Sequence, residues 1–197
     1  MAVLKNLDIV FSNRVLEQKA AELIRSHARQ RDWTPSFPIP LDRLIEHTLD
    51  LCIDFDTIDE PPGTTIWGCI EPARRLITLN DKHADAFAKC PGLERFTLGH
   101  EVGHWVMHVD HSGLSQATLF EPEPDVIVCR DGDASTRERV ADRFSAFLLM
   151  PRDLMLQELP NYDVTTRERF RALAEKINVS NRALDLRLNS MGVGHDA

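Results

Sequence analysis

Apolar residues recur along this chain with two different periods, and the change from one to the other marks its elements. Leu16, Ala20, Leu23 and Ile24 follow Ser12 at helical spacing, which predicts a capped amphipathic helix over 13–30. Pro35, Pro38 and Pro40 then break the chain, and Leu41, Leu44, Ile45 and Thr48 predict a short second helix. Cys52–Phe55 alternates as a strand does and is stopped by Pro61-Pro62-Gly63. Ile66–Ile70 and Leu76–Leu79, separated by five residues around Pro72, read as a hairpin, so a small antiparallel sheet is expected. Pro91-Gly92 opens a longer helix whose stripe is Leu93, Phe96, His100, His104 and Met107, ending near Val109. A short strand over Val126–Cys129 and a helix from Thr136 to Met150, stopped by Pro151, come next. Thr165, with Glu168 three residues on, is expected to cap a helix containing Phe170, Leu173 and Ile177. A turn at Val179-Ser180 leads to a last helix with Ala183, Leu184 and Leu188. The sum is an α+β fold, mostly helical around a small antiparallel or mixed sheet.

The chain has 197 residues, the length of one ordinary domain, a net charge of −8 and 43% hydrophobic residues. No apolar run approaches a membrane span, and Lys5 and Asp8 interrupt the start where a signal peptide needs apolar residues, so a cytoplasmic protein without a membrane partner is expected. Acidic balance argues against nucleic acid as the main partner, because phosphate binding needs a basic surface. Residues 166–190 still read helix, turn, helix with Arg182 and Arg187 on the second helix, yet residues 160–197 hold six basic and five acidic groups, a poor match to DNA. Cys52, Cys69, Cys90 and Cys129 form no Cys-x-x-Cys pair and are expected as reduced, buried thiols. Residues 31–70 hold two basic and eight acidic residues, most simply a solvated face.

Chemistry concentrates at His100-Glu101-Val102-Gly103-His104, the HExxH pattern, inside a segment already predicted helical. Residues four apart on a helix differ by about 40° in azimuth and about 6 Å along the axis, so both imidazoles can converge on one metal ion. Glu101, rotated by about 100° from His100, is too far round to ligate but can reach attacking water as general base. Gly99 and Gly103 each cost about 1 kcal/mol in a helix interior relative to alanine. Their spacing suggests close approach by a second helix, with Ala141 and Ser145 as small partners.

A catalytic zinc site takes three protein ligands, and the candidates for the third are Glu138, Asp142, His108, His111, Asp131 and Asp133. Glu138 and Asp142 share one helix face, so one could ligate while the other orients a histidine through its second ring nitrogen. Ser135-x-x-Glu138 is equally a capping box, in which Glu138 would only satisfy the helix terminus. His108 extends the histidine ladder but drifts about 80° from His100, which suits a cation at the helix C-terminus better than a ligand. Tyr162, His83, His108 and His111 are the candidates for stabilising an oxyanion or touching substrate, and Leu76, Ile77, Thr78, Leu79 and Asn80 form the candidate edge strand for a docking peptide.

Residues 95–108 (RFTLGHEVGHWVMH), followed by residues 137–151 (RERVADRFSAFLLMP), resemble the ImmA/IrrE family of metallopeptidases. Weaker similarity takes in Ile39-Pro40, the strand ending at Asn80 and residues 173–188, so the likeness covers about residues 37–192. The resemblance implies a zincin-like peptidase domain over 35–160, with a helical extension at 1–34 and a C-terminal helical segment at 161–197 packed on it. It further implies His100, His104 and Glu138 as metal ligands, Glu101 as the catalytic glutamate and Asp142 as the supporting acid one turn on. Zinc is the implied metal, with manganese the alternative. Members of this family cleave or inactivate helix-turn-helix repressors, so a repressor or antitoxin-like regulator is the implied protein partner. The rival expectations are a zincin-fold module that grips such a partner without cutting it, and a DNA-binding regulator.

Overall fold

The computed structural model describes residues 11–109, 127–130 and 135–193. Helix α1 (Asn13–Arg31) begins where the Ser12 hydroxyl accepts from the Val15 amide, and it buries Leu16, Ala20, Leu23 and Ile24. Helix α2 (Leu41–Thr48) follows the proline segment and buries Leu41, Leu44 and Ile45. Strands β1 (Cys52–Asp56), β2 (Ile66–Glu71), β3 (Leu76–Asn80) and β4 (Ile127–Arg130) form one sheet in the order β1-β3-β2-β4. Val126, expected to open the last strand, lies outside the described residues.

The β2–β3 hairpin turns through a 3-10 segment at Pro72–Arg74, with Arg75 left-handed at φ 53°. The sheet is mixed rather than antiparallel, because β1 pairs parallel with β3, Cys52 opposite Leu76 and Asp56 opposite Asn80. That pairing corrects the expectation for Leu76–Asn80. Both hydrogen-bonding sides of β3 are taken, by β1 and by β2, so it is an interior strand with no side left for a peptide. Asn80 is fully buried and spent on structure, its amide donating to the Ile66 carbonyl at 2.9 Å and its oxygen accepting from the Ile58 amide at 3.1 Å.

Helices α3 (Ala84–Lys89), α4 (Pro91–His108), α5 (Thr136–Leu149), α6 (Arg152–Glu158), α7 (Arg167–Ile177) and α8 (Asn181–Met191) complete the described elements. Pro151, expected only as a stop, is also the residue before the first turn of α6, where its fixed φ suits a helix start. The α7 cap differs from expectation. Asp163 takes both the Thr165 amide and the Thr165 hydroxyl, at 3.2 and 2.6 Å, so the helix starts one residue later behind Thr166 with no side-chain cap. Cys52 is exposed, contrary to the expectation of buried thiols, because β1 is a sheet margin; Cys69 is buried.

One buried apolar cluster runs from Leu16 in α1 through the sheet, α4 and α5 to Leu184 and Leu188 in α8. Arg187 of α8 is buried within it, donating to the Met150 carbonyl at 3.0 Å, pairing with Glu17 at 2.7 Å and lying over the Phe147 ring. No helix among the described residues is long and apolar enough to cross a membrane.

Helices α4 and α5 pack backbone to backbone. A β-carbon on Gly103 would stand 2.9 Å from the Ala141 Cα and 3.0 Å from its carbonyl oxygen, and one on Gly99 would stand 2.5 Å from the Ser145 hydroxyl. Ser145 donates to the Phe96 carbonyl at 2.9 Å across the same interface. Gly103→Ala should therefore lose about 1–2 kcal/mol of stability in urea titrations, although alanine is the better helix former by about 1 kcal/mol. An unchanged or raised midpoint would mean that the helices stand further apart.

Candidate metal centre

The same close packing sets a carboxylate against two imidazoles. His100 Nε2 lies 2.9 Å from Glu138 Oε2 and 2.9 Å from His104 Nε2, and His104 Nε2 lies 3.2 Å from Glu138 Oε1. All three side chains are buried. Glu138 arrives there because Ser135 caps α5, accepting from the Glu138 amide at 3.2 Å. The hydroxyl half of the capping box is present while the Glu138 carboxylate oxygens face the rings of α4.

This donor set fits a divalent cation. Edges of 2.9, 2.9 and 3.2 Å approach the about 3.3 Å that separates ligand atoms around tetrahedral zinc at Zn–N distances of about 2.0–2.1 Å. Proton bookkeeping points the same way. Asp142 Oδ1 stands 2.8 Å from His100 Nδ1, so with the ring proton on Nδ1 the other nitrogen, Nε2, would be free to ligate a cation. A carboxylate and two ring nitrogens converging in a buried site call for positive charge between them, from ring protons or from a cation. His100, His104 and Glu138 are also the only group of three or more ligand-type side chains among the described residues whose donor atoms converge.

The surrounding electrostatics are uneven. Burial alone would raise the Glu138 carboxyl, but the rings of His100 and His104 outweigh it and hold that carboxyl down at about 2. Glu101, fully buried beside the pair, is pushed up to about 8 by burial, with His100 opposing and Glu138 reinforcing. Neither of its oxygens has a hydrogen-bond partner among the described residues, nor does His104 Nδ1. Burial lowers the His104 ring, and burial together with His104 brings His108 down to about 4.

His108 thus differs from the dipole-stabilising cation expected of it. It is a buried neutral ring whose Nε2 faces the Arg137 carbonyl at 3.3 Å, beside the donor triangle rather than in it. His83 is held elsewhere, its Nε2 at 2.6 Å from Glu60 and its ring against Trp67. Tyr162 lies beyond α6 with Lys176 over its ring. His111, Asp131 and Asp133 fall outside the described residues. Burial and the nearby charges of Glu101 and Glu71 push the Cys69 thiol up to about 12, leaving it protonated and inert.

A cavity of about 640 Å³ opens on His100, Glu138 and Asp142. Its far walls, from β2 and α8, carry no local sequence signal, because Trp67 and Leu186 meet the site only through the tertiary fold.

A family model described as Peptidase_M78: IrrE N-terminal-like domain matches residues 69–189, which include α4, α5 and every residue of the donor triangle. The chain belongs to this family. At family level the Peptidase_M78 match makes it a metallopeptidase, and the buried His-His-Glu cluster is compatible with a metal site. Among curated proteins none matches the chain.

Glu101 gives this Peptidase_M78 centre a measurable pH signature. Its ordinary carboxyl value is 4.5 and its folded value about 8, so the folded state keeps a proton that the unfolded chain has released. Stability therefore falls as pH rises through that window, by about 1.4 kcal/mol per pH unit. The histidine contributions, lowered in the folded state, are lost only on the acid side of their ordinary 6.5. Chelator-treated protein should lose up to about 2 kcal/mol between pH 6.5 and 8, and Glu101→Gln should be flat there in denaturant titrations. A wild-type profile that is also flat would place a partner on Glu101.

Proposed function

We propose that this protein is a metal-dependent endopeptidase acting on a regulatory protein. The observation that carries the reading is the donor triangle with Glu101 beside it, a buried carboxylate with both oxygens unpartnered among the described residues. His100, His104 and Glu138 would hold the cation; two histidines and a glutamate are a donor set used by zinc peptidases, and manganese is the alternative. Such a cation, when bound, supplies Lewis acidity that polarises a peptide carbonyl and acidifies water.

The remaining roles belong to the chain's own side chains. Glu101 takes the proton from attacking water and delivers it to the departing amine nitrogen. Without a metal its burial holds that carboxyl at about 8, and a cation held by the neighbouring triangle would lower it and free Glu101 to accept the proton near neutral pH. Asp142, half exposed at the edge of the site, holds the His100 ring in the tautomer that turns Nε2 inward.

For a substrate strand, β1 is a poor acceptor. The Phe55 and Thr57 amides are already taken by Asp54 and Asp56, at 2.9 and 2.7 Å. The other margin of the sheet is β4, and α4 packs against the sheet at β2, β3 and β4. The likeness to ImmA/IrrE peptidases supports a helix-turn-helix repressor or antitoxin-like regulator as the protein cut.

Elemental analysis and cleavage assays separate these roles. Wild-type protein should carry one zinc or manganese per chain, and Glu138→Ala should lose it. Asp142→Asn should weaken metal affinity by about 10–100-fold. Glu101→Gln should keep the metal and lose about 10²–10⁴-fold in cleavage rate, read as new peptide termini by mass spectrometry. Full metal in Glu138→Ala, or full cleavage by Glu101→Gln, would overturn the assignment. A metal-loaded wild type that binds a repressor without cutting it would be a gripping module instead.

A further inference from the structure

The cavity beside the donor triangle has a chemistry that metal binding does not account for. At about 640 Å³ it lies within the about 300–1,000 Å³ typical of ligand clefts. One end is polar, formed by His100, Glu138 and Asp142. Its middle is apolar, walled by Trp67 from β2, Leu93 and Phe96 from α4, Ala146 and Phe147 from α5, and Leu186 from α8. Leu186, 59% exposed, extends this apolar wall to the mouth of the cavity.

Three arginines also line the cavity, and two are committed. Arg143 donates to the Asn13 side chain at 2.9 Å and to the Phe11 carbonyl, and Arg187 is tied to Glu17 and Met150. Arg182, exposed at the start of α8, makes no ion pair among the described residues. The surface thus passes from a carboxylate-and-imidazole end, across an apolar trough, to one cation without an ion pair among the described residues.

We propose that this groove selects the substrate, seating a large apolar side chain next to the bond to be cut while Arg182 favours an acidic residue within a few positions of it. The proposal rests on the peptidase reading for its placement, since the trough is continuous with the donor triangle. An apolar side chain entering it gains by leaving water and covers Leu186. The neighbouring backbone is thereby carried towards His100 and Glu138. Arg182 discriminates by sign, adding attraction for an acid and repulsion for a base.

The test uses the full-length, zinc-loaded protein and four fluorescent peptides: one pairing a central Phe with an Asp, and its Ala, Lys and Ala-plus-Lys counterparts. Binding is measured by anisotropy on the Glu101→Gln protein, and cleavage by mass spectrometry on the wild type. Replacing Phe by Ala should weaken binding and cleavage by about 10-fold or more. Ala183→Trp, which narrows the trough from α8, should erase most of that preference. Arg182→Glu, at an exposed position, should reverse the Asp-over-Lys preference while leaving metal content and urea midpoint unchanged.

Absence of binding by any peptide would overturn the groove, as would variants that keep the wild-type profile. Concentration-dependent dimerisation weakened by Ala183→Trp would also overturn it, by making a second copy the occupant. Selective binding without any cleavage would leave the groove standing and remove the peptidase reading. Cleavage indifferent to the apolar residue would do the reverse.

Discussion

Contact between two helix backbones is the constraint on which the site depends. Helices ordinarily pack with axes about 8–10 Å apart because side chains stand between them. Gly99 and Gly103 remove those side chains from α4, and α5 brings Ser145 and Ala141 into the space. Only across so narrow a gap does the short side chain of Glu138 reach Nε2 of both histidines while Asp142, one turn on, reaches Nδ1 of His100. The hydrogen bond from Ser145 to the Phe96 carbonyl fixes the helices against sliding. Two helix-interior glycines, locally unfavourable by about 1 kcal/mol each, are thus the condition for a three-point donor set.

The same packing concentrates ionisable groups in a largely buried place at the end of the cavity. His100, Glu101, His104, His108 and Glu138 are all buried, and charges in such a place are costly unless paired. The site distributes that burden unequally. Glu138 stays ionised because two rings face it, whereas Glu101, with no partner for either oxygen among the described residues, holds its proton until about pH 8. His108 escapes the cost by remaining neutral and using Nε2 on a carbonyl. A carboxylate kept basic beside one kept anionic is the division of labour expected of a general base next to a ligand.

Much of this was legible in the chain because it is local. HExxH at helical spacing, serine caps at Ser12 and Ser135, and the β2–β3 hairpin each follow from residues within one or two turns of one another. What stayed hidden is non-local or the outcome of competition. The parallel pairing of β1 with β3 skips a strand, so nothing near Leu76–Asn80 announces that both its sides are filled. Helices α3 and α6, of six and seven residues, are too short to display a period. Thr165 does not cap α7 because Asp163, two residues earlier, accepts from both its amide and its hydroxyl and holds it in the preceding turn. For Glu138 two readings were open from spacing. The fold uses parts of both, with its amide at the Ser135 cap and its carboxylate at the histidines.

The C-terminal helices show why a motif has to be weighed against its surroundings. In sequence, helix, turn and helix with two arginines on the second helix resemble a DNA reader, which needs those cations on its outer face. In the fold Arg187 points inward, where it closes the end of α5 through the Met150 carbonyl, holds α1 through Glu17 and lies over Phe147. An arginine so placed is a tether and has no charge to offer phosphate. Anchored by it, α8 presents Ala183 and Leu186 to the cavity that begins at His100, with Arg182 at its border. The segment that looks most like a nucleic-acid element is therefore a wall of the candidate active site, and Arg182, the other arginine of α8, lines that cavity.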